Sequence, residues 1–215
     1  MTFSGVISFP RPYEKEGAPA CGIYLTAPKK TSFNMMVVQL RAVFTELNKS
    51  KYQKNMHAVE LQFPKKIYEK ERQKAMTLVT MCRGAGVVPI IRDDVSLCVE
   101  CNADGVLLTD IGDIANARKV LGASAIIGFE CGNSQKKAEE ALLSGVDYVT
   151  FSKFFMSAGS KKNADIALLE WWGATTTLPA ATFANLNVAR VIELAKSGAG
   201  FIGAGAWVWE HEDGP

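Results

Sequence analysis

Eight short apolar runs, separated by longer segments with helical spacing, constrain this chain more than any other feature. The runs cover 22–26, 58–62, 87–91, 105–108, 125–128, 148–151, 178–181 and 201–203. Most are continuous rather than alternating, which is how strands covered on both faces read. Between them the apolar residues return every three or four positions. The stripe Phe33, Met36, Val37, Leu40, Val43, Phe44 and Leu47 predicts a helix over 33–47. Further helices are predicted over 66–83, 93–101, 113–121, 133–143, 163–172 and 187–196, several stopped by a glycine such as Gly84, Gly122, Gly145 or Gly198. The segments 101–108, 143–150 and 196–203 share one imperfect pattern of helix end, small residues and strand, the pattern of a helix reversing tightly into a parallel strand.

This alternation predicts a single-domain (β/α)8 TIM barrel over 21–215. A doubly wound sheet ranks second: it needs only five or six strands, and no GxGxxG follows the first run. Residues 1–20, with three prolines and no clean period, read as a surface extension. Twelve residues follow Gly203, so the eighth helix is expected to be short or missing and the barrel open or thinly covered there.

Composition removes several functions. Lys plus Arg is 24 against 22 Asp plus Glu, a net charge of +2, which argues against a nucleic-acid partner held by bulk charge. No apolar run reaches the roughly 18–20 residues of a membrane span, and the N-terminus shows neither the apolar core nor the cleavage site of a secretory leader. Five cysteines in no framework suit reduced thiols and a cytoplasmic location. Cys98 and Cys101 form a lone CxxC with His57 and His211 far off in sequence, so they read as packed thiols rather than zinc ligands. His57 is expected before the second strand, as a surface or packed residue.

In such a barrel chemistry gathers at the carboxyl ends of the strands. Gln62 and Lys66 follow the second run, and Arg92, Asp93 and Asp94 the third. Asp110 and Asp113 follow the fourth, Glu130 the fifth, Ser157 and Lys161 the sixth, Asn185 the seventh, and Gly203 to Gly205 end the eighth. Acids on that rim suit Mg2+, which takes oxygen ligands and shares substrate phosphates. Lysines and glycine-rich turns suit phosphate.

The stretch from Arg92-Asp-Asp through Ala103-Asp-Gly-Val-Leu-Leu, Leu121-Gly-Ala, Ile126-Ile-Gly and Ala138 to Gly145-Val-Asp-Tyr-Val resembles the thiamine-phosphate synthase family, which also includes the thiazole tautomerases. With the Gln62 loop and the Gly198-Ala-Gly200 turn, the likeness spans roughly residues 22–206, read as a (β/α)8 barrel. It implies an Mg2+-dependent transferase of thiamine biosynthesis. Such an enzyme joins hydroxymethylpyrimidine diphosphate to thiazole phosphate and releases pyrophosphate. Carried over position by position, Gln62 and Lys66 match the family's Gln-x-Arg-x-Lys, with Pro64 at the Arg. Asp93 matches the metal-binding Asp of an Asn-Asp pair, with Arg92 at the Asn. Asp113 matches the second metal ligand after a one-residue shift, and Leu107 replaces a His. Lys161 is the nearest equivalent of the lysine in the sixth loop and is assigned the catalytic role. Asn185 falls where a Gly-Gly pair binds phosphate, and Gly203 is grouped with the substrate-binding residues. Glu130 stands at a Ser; a third metal ligand and a repulsion of pyrophosphate are both compatible with it. No histidine reaches the mouth, which disfavours the tautomerase branch.

Two roles for Arg92 stand open: it serves the diphosphate in place of the Arg missing at Pro64, or it pairs with Asp94 or Glu130 and neutralises surplus acid. Three functions stand open as well. The first is a thiamine-phosphate synthase. The second is a diverged family member, weak or inactive, that binds a phosphorylated ligand or a protein partner. The third is an unrelated barrel acting on a sugar phosphate. Trp171, Trp172, Trp207 and Trp209 either pack on the barrel's own helices or mark a homodimer interface at the thinly covered side.

Overall fold

The computed structural model describes residues 21–27, 32–50, 55–64, 69–155 and 164–210, without the side chain of Ala206. Among the described residues eight parallel strands alternate with eight helices. The strands are β1 (Gly22–Thr26), β2 (Met56–Leu61), β3 (Val88–Arg92), β4 (Gly105–Leu108), β5 (Ile126–Gly132), β6 (Tyr148–Phe154), β7 (Ala180–Ala184) and β8 (Phe201–Ala204). The helices are α1 (Phe33–Lys49), α2 (Glu69–Gly84), α3 (Val95–Glu100), α4 (Asp113–Leu121), α5 (Gln135–Leu143), α6 (Ala167–Thr175), α7 (Val188–Lys196) and α8 (Ala206–Trp209). Helix starts follow local chemistry. Ser32, Asp94, Ser134 and Asn187 each cap a helix by accepting a hydrogen bond from a backbone N–H three residues on. Asp94 is therefore a cap, and Asp93 lies outside α3.

Neighbouring strands pair in sequence order and β1 pairs with both β2 and β8, so the barrel is closed. This corrects the expectation of an open barrel. Closure needs only the backbone hydrogen bonds of β1 and β8, which a short final helix leaves intact. Thin cover is what the structure has: α8 is a single turn, Trp207 is half exposed, and a largely apolar cavity of about 540 Å³ lies between α1, α7 and α8. Trp209, at the end of α8, donates from Nε1 to the Thr26 carbonyl at 2.6 Å. Trp172 is buried within its own barrel, edge-on to Phe151 and bonded to the Leu178 carbonyl.

Two apolar layers result. The larger lies between strands and helices; the smaller fills the barrel with Tyr24, Ala58, Ile90, Leu107, Ile126, Tyr148, Ala181 and Phe201. Large rings fit inside because glycines face them. A Cβ on Gly128 would stand 2.1 Å from the Tyr148 ring, and one on Gly203 would stand 2.2 Å from the Phe183 ring.

His57 lies within β2 rather than before it. The β1–β2 register shifts between Ile23/Tyr24, so His57 is an extra residue on β2. Its ring is buried against Phe201 over Gly22, at the end of the barrel away from the mouth. Nδ1 lies 2.8 Å from the Asn55 carbonyl, and burial lowers the imidazole pKa against the opposing effect of that bond.

Candidate functional site

Inward-facing positions recur every second residue, so the apolar filling continues upward into polar side chains. Tyr24 leads to Thr26, Ala58 to Glu60, Ile90 to Arg92, Gly128 to Glu130, and Tyr148 to Thr150 and Ser152. Thr26, Glu60, Arg92, Glu130, Thr150, Ser152 and Phe183 line a cavity of about 230 Å³ at the carboxyl ends of the strands. Below it the hydroxyls of Tyr24 and Tyr148 lie 3.1 Å apart, both fully buried. Burial first, and then the neighbouring tyrosine and Glu60, push the Tyr24 phenol well above its ordinary value, so it stays protonated.

Arg92 is the centre of the mouth. Nη1 donates to Glu60 at 3.0 Å, Nη2 donates to Glu130, and Nε stands 3.7 Å from Asp93 Oδ2. Burial works to lower the Arg92 pKa, but the Glu60 and Glu130 carboxylates outweigh it and raise it, so the guanidinium stays charged at any working pH. Glu60 is 4% exposed and sits opposite Ile90 in the β2–β3 ladder, one strand from Arg92. Three carboxylates around one guanidinium leave the group at a formal −2.

The expected site residues divide among several places. Arg92 is paired with Glu130, and Asp94 is occupied as a helix cap. Asp93 has φ of 50°, in the left-handed region, and its Oδ1 accepts from both the N–H (2.8 Å) and the hydroxyl (2.9 Å) of Thr109. The carboxylate thus clips the end of β3 to the loop after β4. Asp113 lies on the exposed first turn of α4, where the helix dipole favours an acid. Gln62 is exposed just beyond β2, and Asn185 is exposed beyond β7 with its carbonyl accepting from Arg190. Gly203 has a packing role, yielding space to Phe183. Lys66, Ser157 and Lys161 lie outside the described residues. Cys98 and Cys101 are buried free thiols, Cys98 directed at backbone carbonyls.

Sequence reasoning passed over Thr26, Glu60 and Thr150 as lining residues. Glu60 carried a signal: an acid two residues after the inward Ala58 shares its face, and the next strand ends in an arginine.

Among the described residues no three His, Cys, Asp or Glu gather into a metal cage. The mouth nevertheless offers hard carboxylate oxygens, with Asp93 and Glu130 about one third exposed and the surrounding charge negative. That donor set fits an Mg2+ that keeps waters and takes further ligands from a phosphate. No helix among the described residues is long and apolar enough to cross a membrane.

Comparison with known proteins adds to this geometry. The family model described as thiamine monophosphate synthase matches residues 35–205. A thiamine-phosphate synthase of Hyphomonas neptunium is 36% identical over 141 residues, covering 64% of this chain and 64% of that protein. One from Xanthomonas campestris pv. campestris is 37% identical over 143 residues, covering 65% and 69%. The chain thus spans somewhat less than two thirds of the Hyphomonas protein. Among solved structures, thiamine phosphate pyrophosphorylase from Pyrococcus furiosus superimposes with a TM-score of 0.68 at 19% identity, covering 89% of each chain. A 3-hexulose-6-phosphate synthase gives 0.62 at 15%, covering 89% and 93%. At these identities the structural likeness is one of fold.

Proposed function

Since this chain belongs to the thiamine monophosphate synthase family, we propose that it is a thiamine-phosphate synthase. It would couple hydroxymethylpyrimidine diphosphate to thiazole phosphate and release pyrophosphate. The observation that carries this reading is the family match over 35–205, which takes in the strand ends from β2 to β8. In this reading Asp93, with Asp113, holds Mg2+, which supplies positive charge to the departing diphosphate when bound. Gln62, Lys66, Asn185 and Gly203, which lies within β8, bind the phosphorylated substrates, and Lys161 takes the catalytic role. Arg92 joins them when it exchanges Glu130 for a phosphate oxygen. Tyr24 and Tyr148 form an apolar, protonated floor that keeps water from the reacting carbon.

The third reading, an unrelated barrel, falls to the family match. The second retains support from one observation: Arg92 is held by Glu60 and Glu130, which favours a diverged member that binds a phosphorylated ligand without turning it over. Pyrophosphate release from the two substrates with Mg2+ separates them. Release that depends on both substrates supports the synthase; ligand binding with no release supports the binder. Five free cysteines fit a reducing cytoplasm as its location. A homodimer that covers the apolar side near Trp207 is part of this reading, and light scattering on the purified chain tests it.

A further inference from the structure

We infer that Glu130 makes anion binding in this mouth depend on a divalent cation, by holding the Arg92 donor that a phosphate oxygen would otherwise take. This rests on the reading of the mouth as a diphosphate site.

The geometry assigns different duties to the three acids around Arg92. Glu60 is buried at the bottom, with its side chain 5% exposed. Asp93 is fixed through Oδ1 to Thr109. Glu130 has its side chain 34% exposed, close to the 36% of Asp93, and takes Nη2, so it is the solvent-facing acid that occupies a guanidinium donor by a hydrogen bond. Its position follows from the strand. The β5–β6 register shifts between Glu130/Gly132, which leaves Cys131 as an extra residue, buried in the outer layer, while Glu130 keeps the inward face it shares with Gly128.

An anion entering this mouth meets a group of formal charge −2 whose cation is already engaged on both Nη atoms. Two changes lift that barrier. A divalent cation arriving with the anion cancels the charge and gives Glu130 a new partner, releasing Nη2. Neutralising Glu130 does the same without metal. The loss of one negative charge at hydrogen-bond distance from the binding donor is worth about tenfold or more in anion affinity.

Calorimetric titration of the full chain with inorganic pyrophosphate, with and without Mg2+, tests this. The wild type is expected to bind pyrophosphate with Mg2+ and to bind it at least tenfold more weakly without. Glu130→Gln, which keeps the size of the side chain, is expected to raise metal-free affinity at least tenfold. Adding Arg92→Asn to it is expected to abolish the gain. Glu130→Ser is the second variant and is expected to show the same gain, with circular dichroism confirming the fold of each. Unchanged metal-free affinity in both Glu130 variants, beside a wild type that binds the Mg2+ complex, overturns the inference and leaves the diphosphate reading intact. Absence of pyrophosphate binding by wild type and variants alike, with and without Mg2+, overturns that reading and the inference with it.

Discussion

The two ends of the barrel interior are built on opposite principles. At the amino end, rings and glycines interlock: His57 lies over Gly22 and against Phe201, and Tyr148 passes over Gly128. Of the side chains that interlock there, Tyr24, His57, Tyr148 and Phe201, none carries a charge when the imidazole is neutral. At the carboxyl end, two strand positions further on, the same inward faces carry Glu60, Arg92 and Glu130. The amino end is held by shape, and its errors cost packing energy. The carboxyl end is held by charge balance, and its errors leave a buried charge without its counter-charge. A barrel can therefore change its mouth chemistry while its lower half stays fixed.

The largest test of this contrast is Arg92→Leu, which removes the guanidinium from the buried Glu60. A loss of about 3–5 kcal/mol in chemical unfolding is expected, most of it recovered in the double variant with Glu60→Leu. Little recovery in the double variant would mean that the mouth, too, is held by shape. Next comes Gly128→Ala at the amino end. Its new Cβ meets the Tyr148 ring, and about 1–3 kcal/mol of destabilisation is expected with no recovery from any charge change. Asp93→Ala should cost about 1 kcal/mol of stability through the lost Thr109 bonds, a smaller effect than on Mg2+-supported pyrophosphate binding, which should fall at least tenfold. Equal pyrophosphate binding by this variant would take Asp93 out of the proposed metal site.

The smallest effect is the pH response of His57. Burial holds its folded pKa below the ordinary value of 6.5, so the unfolded chain takes up the proton first as pH falls. The stability it contributes is complete above about pH 6.5 and is lost progressively as the pH drops from there through the folded value. His57→Gln should flatten that part of the melting-temperature profile. An unchanged slope would remove His57 as a source of the acid sensitivity.

The architecture was legible because a strand covered on both faces has to be apolar almost throughout, and most of the eight strands announced themselves in that way. Some boundaries slipped at the strand ends that face the mouth. β5 runs on through Glu130 to Gly132 and β6 through Ser152 to Phe154, because inward positions at the strand ends carry polar side chains that read as loop. The rim itself was legible as a set of loops, and Arg92, Asp93 and Glu130 were on it. Glu60 was hidden for the complementary reason. A lone acid in an apolar run looks like a solvated edge until the arginine on the next strand is brought beside it. His57 was misplaced because a β-bulge, which adds one residue to a ladder, leaves no mark in the hydrophobic pattern.

The five thiols have a use unrelated to any role in the site. Cys82, Cys98 and Cys131 lie in the layer between strands and helices, and burial pushes each thiol up to about 12. At neutral pH each therefore stays in the unreactive thiol form while the chain stays closed. Alkylation at these positions therefore clocks the opening of the helical layer. Cys82 reports on α2, Cys98 on α3 and Cys131 on the end of β5. The chain carries its own set of local unfolding reporters, spaced around the barrel, with no label to be engineered.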